Sequence, residues 1–440
     1  MKKIFAITLL FCAALAFAQD KTMPRFAIPT AKSSSMGGTH VAYTDNVYSL
    51  LVNPAAMVRV QQWNFFTLSP SLFNVETTGD MLELAGSLMT AGDDDSELEN
   101  AFGKAADTIS NKKGKISLGF DLTGFPLSIA WVANGFGIGL WDRIFVNPNI
   151  MGTNIVLHAY ADVIMPFGFA FKILNTGTHD VDVGITVKPF MRALLSERIN
   201  ILSLMDEDSD AFDSLSVPLI MGAGLDLGFL YRWDMGLSAG LTFNDMPTGG
   251  GVVSDFAGDA SGNYSVPFSM NLGVAYDFKL GKFWQTAPEF LANFGITFAI
   301  DWRDFTNVFQ QDDYTRRNAA LDIGLGLQFT MWDMLKIRMG LNECLPSFGL
   351  GVDLKAIEID FAYYGKELGL EPGQMPVAVL QLAFSVRPPA KKVNWPWTRT
   401  SIVDLISGTG GYEGEGEEEY FMSIEIPEIE ELFIDESEME

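Results

Sequence analysis

The grouping in this sequence that most suggests bond-breaking chemistry is His158, Tyr160 and Asp162. Alternate residues of an extended strand share one face, where a histidine and a carboxylate could activate a hydroxyl nucleophile. The sequence places no serine beside them, and a histidine on the polar face of a strand is more often structural than catalytic. We therefore expect no catalytic residue and no enzymatic activity.

Metal and cofactor chemistry is equally sparse. The chain has three histidines and two cysteines, at positions His40, His158, His179, Cys12 and Cys344. No pair of them has zinc-ligand spacing. Gly-x-Gly occurrences such as Gly222-Ala223-Gly224 follow the strand periodicity and lack the context of a phosphate-binding loop. We predict no metal, no cofactor and no nucleic-acid partner.

The first 18 residues resemble a secretory signal peptide. Lys2 and Lys3 precede an apolar run, and the small-x-small pattern Ala16-Phe17-Ala18 ends it. This pattern predicts export and leaves Cys344 as the single cysteine of the mature chain. After it we find no uninterrupted apolar run of about 18 residues, so transmembrane helices are not expected.

Apolar residues instead alternate with small or polar ones. From Phe268 to Leu280 every second residue is apolar, and the same pattern recurs in 219–231, 290–302 and 321–331. Such alternation predicts strands with one apolar and one polar face. The runs span about 11 to 15 residues, whereas a tilted strand needs about 9 to 11 to cross a bilayer. In lipid such strands must close on themselves, so we predict an all-β, transmembrane antiparallel β-barrel.

The number of strands depends on residues 115–132, which form either one kinked strand or a hairpin around Gly124-Phe125-Pro126. These alternatives give about 14 to 16 strands. Asn134-Gly135 predicts a tight hairpin. Longer polar joins are expected at 80–113, 200–216, 247–264 and 305–316. Aromatic girdles at the membrane interfaces are expected to include Trp141, Trp233, Trp302, Trp332, Tyr363 and Tyr364.

Residues 19–61 precede the first clear strand and do not alternate cleanly. They contain Gly37 and Gly38 and, further on, the turn Asn53-Pro54-Ala55. Irregular backbone survives at membrane depth only when protein shields it. An asparagine can hydrogen-bond backbone groups that such a segment leaves unpaired, and a proline fixes a turn.

This segment resembles the N-terminal hatch of the FadL family of long-chain fatty-acid transporters, through Ser-Ser-x-x-Gly-Gly-x-x-Val-Ala, Asp45 and Asn-Pro-Ala. It also resembles PorV, a related barrel of a bacterial secretion system. The resemblance implies an outer-membrane barrel over 62–387, plugged by a hatch over 19–61. Asn53, Pro54 and Ala55 would form the plug turn that gates the channel, and Gly37 and Gly38 would pack against the wall.

The resemblance also implies a function. In FadL-type proteins, long-chain fatty acids or other hydrophobic compounds are thought to enter from outside the cell and to leave through a gap in the barrel wall. On this basis we expect a channel in the outer membrane of a bacterium. The sequence does not identify substrate-binding residues.

Residues 388–440 depart from the FadL pattern. The part 401–440 has 14 Asp or Glu and no Lys or Arg, which predicts a disordered, acidic periplasmic tail. The tail keeps a second hypothesis open, in which the chain is a PorV-like or structural barrel that docks protein partners. A periplasmic protein bound to the tail would be one such partner.

Overall fold

A computed structural model describes residues 21–73, 115–117, 119–151, 154–200, 216–256, 260–283, 294–309 and 317–387. The predicted signal peptide, the join 80–113 and the acidic tail lie outside these residues. The strands, numbered β1 to β20 in chain order, are Lys21–Thr22, Gln61–Asn64, Phe66–Phe73, Lys115–Ser117, Gly119–Ala133, Phe136–Met151, Asn154–Ile164, Phe167–Asn175, His179–Asn200, Pro218–Trp233, Leu237–Asn244, Thr248–Asp255, Asn263–Val266, Ser269–Lys279, Gly295–Trp302, Ile323–Met331, Leu335–Asn342, Leu345–Asp353, Ile357–Glu367 and Pro376–Val386.

Strands β2 to β20 form a closed antiparallel barrel whose wall has 14 strands. Closure occurs where β20 pairs with β3. Five wall strands are interrupted, so each consists of two consecutive elements: β2 with β3, β4 with β5, β7 with β8, β11 with β12, and β13 with β14. The prediction of a transmembrane β-barrel with about 14 strands is confirmed.

β4 and β5 both pair with β6 and so form a single kinked wall strand rather than a hairpin, in agreement with a wall of 14 strands. The pairing of β5 with β6 shifts between Thr123 and Ser128, where Gly124 to Leu127 bulge out of the ladder. A bulge lets a strand continue after a local kink, whereas a hairpin would reverse its direction.

The two ends of the barrel differ. Short turns at 134–135, 176–178, 234–236, 332–334 and 354–356 define what we call the hairpin end. Asn134 and Gly135 both have positive φ, 39° and 103°, as the predicted tight hairpin requires. The opposite end, here the loop end, carries the joins 74–114 and 201–217.

The outer face of the wall is apolar, whereas the inner face carries buried charged residues together with an apolar cluster that includes Trp141, Phe190 and Ile220. Outward side chains such as Phe298, Ile300 and Leu350 are 47%, 41% and 51% exposed, whereas inward Asp162 and Arg192 are almost fully buried. A soluble protein buries its apolar side chains and rarely exposes a continuous apolar band. This inverted distribution is the one that a lipid environment stabilises.

Two predictions about the wall were wrong. Residues 247–264 are not a loop throughout, because β12 continues the wall over Thr248–Asp255 and pairs with β10. The run Gly249-Gly250-Gly251 suggested a loop, but its missing side chains allow close backbone approach: a Cβ atom on Gly250 would lie 2.5 Å from the carbonyl oxygen of Met221.

The predicted girdle was wrong at two of its six positions. Trp141 and Tyr364 face the lumen and are 0% and 5% exposed. Trp141 shares the inward parity of β6 with Arg143, and its ring lies 5.9 Å from that of Tyr48. The other four aromatic residues, Trp233, Trp302, Trp332 and Tyr363, have exposed side chains.

Within the described residues, helices are few and short. They are α1, Ala31–Ser35, α2, Ser49–Val52, and α3, Leu280–Phe283, with 3-10 turns at Pro54–Val58, Phe305–Phe309 and Ala319–Asp322. The side chain of Thr30 caps α1 by accepting a hydrogen bond from the Ser33 amide, at 3.1 Å. None of the described helices combines the length and apolarity needed to cross a membrane.

Candidate functional site

Residues 21–60, here the N-terminal segment, contact inward-facing residues on strands around the barrel. The turn Asn53-Pro54-Ala55 is fully buried. The Asn53 amide donates to the carbonyl oxygens of Val41, at 2.9 Å, and Phe229, at 3.3 Å. Its oxygen accepts from the Ala55 amide at 3.2 Å. One side chain thus joins two parts of the segment to the wall strand β10.

Glycines of the wall make room for this turn. A Cβ atom on Gly184 would lie 2.3 Å from the carbonyl carbon of Pro54, and one on Gly228 would lie 2.2 Å from Asn53 Oδ1. These distances are well below van der Waals contact, so any side chain would displace the turn. We call Gly184 and Gly228 the glycine seat.

Gly37 and Gly38 lie against a different part of the wall, at strands β16 and β17. They adopt φ of 69° and 78°, which favours glycine. A Cβ atom on Gly37 would lie 2.2 Å from the Leu325 carbonyl oxygen, and one on Gly38 would lie 2.2 Å from Arg303 Nη1. The Gly37 amide donates to Ser347 Oγ at 3.1 Å.

Asp301 of β15 binds the backbone between these two turns. Its Oδ2 accepts hydrogen bonds from the amides of His40, at 2.6 Å, and Val41, at 2.9 Å. Burial lowers the pKa of the His40 imidazole more than the Asp301 carboxylate raises it. The ring is therefore neutral at pH 7, and its buried Nδ1 has no hydrogen-bond partner among the described residues.

Toward the loop end, wall side chains hold the extended residues 23–29, here the strap. Arg143 donates to the carbonyl oxygen of Ala27 at 2.5 Å, and Gln381 donates to that of Pro29 at 2.9 Å. Arg192 donates to the carbonyl oxygen of Pro24. The strap is therefore held by long side chains from three wall strands.

Buried ion pairs keep these lumen cations in place. Arg192 makes two hydrogen bonds to Asp162, at 2.6 and 2.7 Å, and Arg143 makes two to Asp121, at 2.9 and 2.6 Å. Such bidentate pairs fix the guanidinium plane as well as its charge. Each arginine therefore presents its remaining nitrogen to the strap in a defined direction.

The cavity between the N-terminal segment and strands β3, β19 and β20 is lined mostly by polar groups, including Lys32, Tyr48, Glu358 and Asp360. The Lys32 ammonium lies 2.5 Å from the Asp45 carboxylate and 4.5 Å from the centre of the Tyr43 ring. The lining offers hydrogen bonds and charge, which suit water or ions better than an alkyl chain.

His158 and Asp162, the residues considered for catalysis, have different hydrogen-bond partners. His158 Nδ1 lies 3.0 Å from Ser196 Oγ, but Asp162 is bound by Arg192. Among the described residues, no carboxylate hydrogen-bonds to His158. No group of three or more His, Cys, Asp or Glu in the described part of the chain is arranged to hold a metal ion.

The sequence reading missed several residues that bind the N-terminal segment, namely Arg143, Arg192, Asp301 and Gln381. A signal was available for Asp301, which shares its strand parity with Gly295 and Thr297, and for the other three in that each is a polar residue within a predicted strand. The parity predicts that Asp301 faces inward, but neither signal predicts which backbone groups these residues bind.

Three solved structures illustrate what this chain is similar to. The CymD monoaromatic hydrocarbon channel aligns over 81% of this chain and 95% of its own, at 14% identity and a TM-score of 0.40. The toluene transporter TodX of Pseudomonas putida aligns over 81% and 96%, at 14% identity and a TM-score of 0.42. A FadL homologue of Pseudomonas aeruginosa aligns over 82% and 99%, at 10% identity and a TM-score of 0.42.

No protein-family model matches the sequence. No curated protein matches it either. These three structures are FadL-family transporters, the family that the N-terminal motif of this chain resembles.

Proposed function

We propose that this chain is an outer-membrane channel for hydrophobic compounds such as long-chain fatty acids, with residues 19–61 as its hatch. The observation that carries the proposal is the buried Asn53-Pro54-Ala55 turn on the glycine seat, inside a barrel with an apolar outer face. The hairpin end would face the periplasm, as short turns do in barrels of this kind.

The hatch would have to rearrange for a compound to pass. The glycine seat leaves no space between turn and wall, and the cavity beside the segment is polar. The bonds that hold the turn are hydrogen bonds to carbonyl oxygens, each worth about 0.5–1.5 kcal/mol net. A bound substrate could replace bonds of this strength, so Asn53, Pro54 and Ala55 are the residues that we assign to gating.

The test is saturable binding of a radiolabelled long-chain fatty acid to the refolded, detergent-solubilised protein. We expect Asn53→Ala to weaken binding severalfold, because the turn positions the segment that forms one side of the passage. Asn271→Ala is the matched control, since that amide bonds to the wall residues Thr242 and Asn244. Both variants should keep the heat-modifiable migration of a folded barrel.

Absence of saturable binding by the folded wild-type protein would contradict the channel. It would favour the second hypothesis, a barrel that docks protein partners. Equal weakening by both asparagine variants would remove the assignment of gating to the Asn53 turn while leaving the channel in place.

A further inference from the structure

Three cations converge at the hairpin-end mouth of the lumen. Arg59 follows the 3-10 turn that begins at Pro54, and its amide donates to the Ala56 and Met57 carbonyl oxygens. Lys172 and Arg232 lie on the inward parity of β8 and β10, close enough for their charges to act on each other and on Arg59.

Two carboxylates share this place, which we call the basic mouth. Asp182 is directly opposite Lys172 in the strand pairing, and Asp180 is directly opposite Arg232. Arg59 makes an ion pair with Asp180 and lies 3.6 Å from Asp182. The Asp45 carboxylate also acts on Arg232, but it is paired with Lys32. The three cations of the cluster therefore face two unshared carboxylates, which leaves an excess of one positive charge.

All three cations are at least partly exposed to solvent. Lys172 and Arg232 are half-buried, and neither makes a hydrogen bond or ion pair with another described residue. Asp182 is fully buried, whereas the Arg59 side chain is 36% exposed. The open side of the cluster thus presents ammonium and guanidinium donors to solvent, while the carboxylates lie beneath.

We infer that the basic mouth, formed by Arg59, Lys172 and Arg232, binds a carboxylate. A carboxylate accepts hydrogen bonds from both kinds of donor and supplies the missing negative charge. Arg59 directly follows the 3-10 turn Pro54–Val58, whose first residues rest on the glycine seat, so an occupant of the basic mouth would contact the hatch directly. The site would exist whether or not the barrel conducts hydrophobic compounds.

The carboxylate has two possible sources, both consistent with the chemistry of the site. One is a free amphipathic acid that reaches the mouth from the lumen. The other is the tail of this chain, because β20 ends at Val386 on the hairpin end and residues 401–440 carry 14 Asp or Glu and no Lys or Arg. Tethering raises the effective concentration of the tail's carboxylates to about the millimolar range.

Carbodiimide coupling of carboxylates to the Lys172 amine, mapped by mass spectrometry on the refolded full-length protein, distinguishes these sources. If the tail occupies the mouth, the fraction of Lys172 coupled to tail glutamates should be several times larger than the fraction of Lys355 coupled to them. Lys355 is the control because it lies in the exposed turn at 354–356, near the strand end from which the tail departs. The excess should disappear in Arg59→Gln and Arg232→Gln variants that remain heat-modifiable.

A second arm uses a full-length variant in which every Asp and Glu of 401–440 becomes Asn or Gln, with hexanoate added. A hexanoyl group on Lys172 in this variant, without tail coupling in the wild type, identifies a free acid as the occupant. Either coupling should fall when salt rises from about 0.1 M to about 1 M, since the screening length falls from about 10 Å to about 3 Å. Coupling of Lys172 to Asp182 alone, in every protein and condition, would overturn the inference.

Discussion

The strap and the Asn53 turn occupy the same lumen but are bound in different ways. Long side chains hold the strap by its carbonyl oxygens, and these side chains depend on buried ion pairs. The turn rests directly on backbone, in space left by Gly184 and Gly228. The strap also buries Phe26, whose ring lies 4.4 Å from that of Phe190. Movement of the strap would break side-chain bonds and apolar contacts, whereas movement of the turn would break the hydrogen bonds of Asn53 and separate backbone from two glycines.

The largest effect is expected from Arg192→Met, which attacks the strap. The change leaves the Asp162 carboxylate buried without its partner. Removal of one member of a buried ion pair lowers the free energy of unfolding by about 3–5 kcal/mol. Urea titration followed by tryptophan fluorescence measures this free energy. The double variant Asp162→Asn with Arg192→Gln should recover most of this loss.

The double variant separates the two roles of Arg192. It removes the unpaired charge from the wall but also lacks the hydrogen bond to the Pro24 carbonyl oxygen. We expect trypsin to cleave it after Arg25 several times faster than the wild type. Unchanged cleavage would show that the strap does not depend on Arg192.

A smaller effect is expected from Gly184→Ala, which attacks the turn. The added methyl group would overlap the Pro54 carbonyl, and overpacking of this kind costs about 1–3 kcal/mol. We expect the displaced turn to open an ion path, measured as raised conductance in planar bilayers. Gly295→Ala is the control, because its nearest neighbour is 3.6 Å away. Equal conductance of the two variants would contradict a rigid seat.

The smallest effect is a pH dependence from His40, which lies between the two regions. Because burial lowers its pKa in the folded chain, the unfolded chain binds a proton more readily at this ring. Stability should therefore fall as pH decreases below about 6.5, the ordinary pKa of histidine. His40→Gln should remove part of this decrease between about pH 6.5 and pH 5. An identical pH profile of the His40→Gln variant and the wild type would contradict this role.

The wall could be predicted from the sequence because its signal is local. Alternation identifies faces, and Asn134-Gly135 identifies a turn, without knowledge of any distant residue. The contacts of the lumen are not local: Arg192 binds Asp162, 30 residues away, and Pro24, 168 residues away. They depend on the register and stagger of the whole barrel, which single-strand patterns do not contain.

The errors have the same origin. Gly249 to Gly251 suggested a loop, because the sequence does not show which neighbouring backbone will fill the space beside a glycine. Trp141 suggested an interfacial residue, because its type resembles the girdle while its parity places it beside Arg143. For Asn53, Pro54 and Ala55, the motif indicated a turn, but only the structure shows Gly184 and Gly228 beneath it.

The glycine seat has a consequence for the way the barrel assembles. Its two glycines are on strands β9 and β10, whereas the pairing that closes the wall joins β3 to β20, near opposite ends of the described chain. The N-terminal segment is synthesised before any strand that it touches, and the final pairing encloses it. The segment can therefore act as a template on which the sheet closes, and the glycines determine how closely strands β9 and β10 approach it.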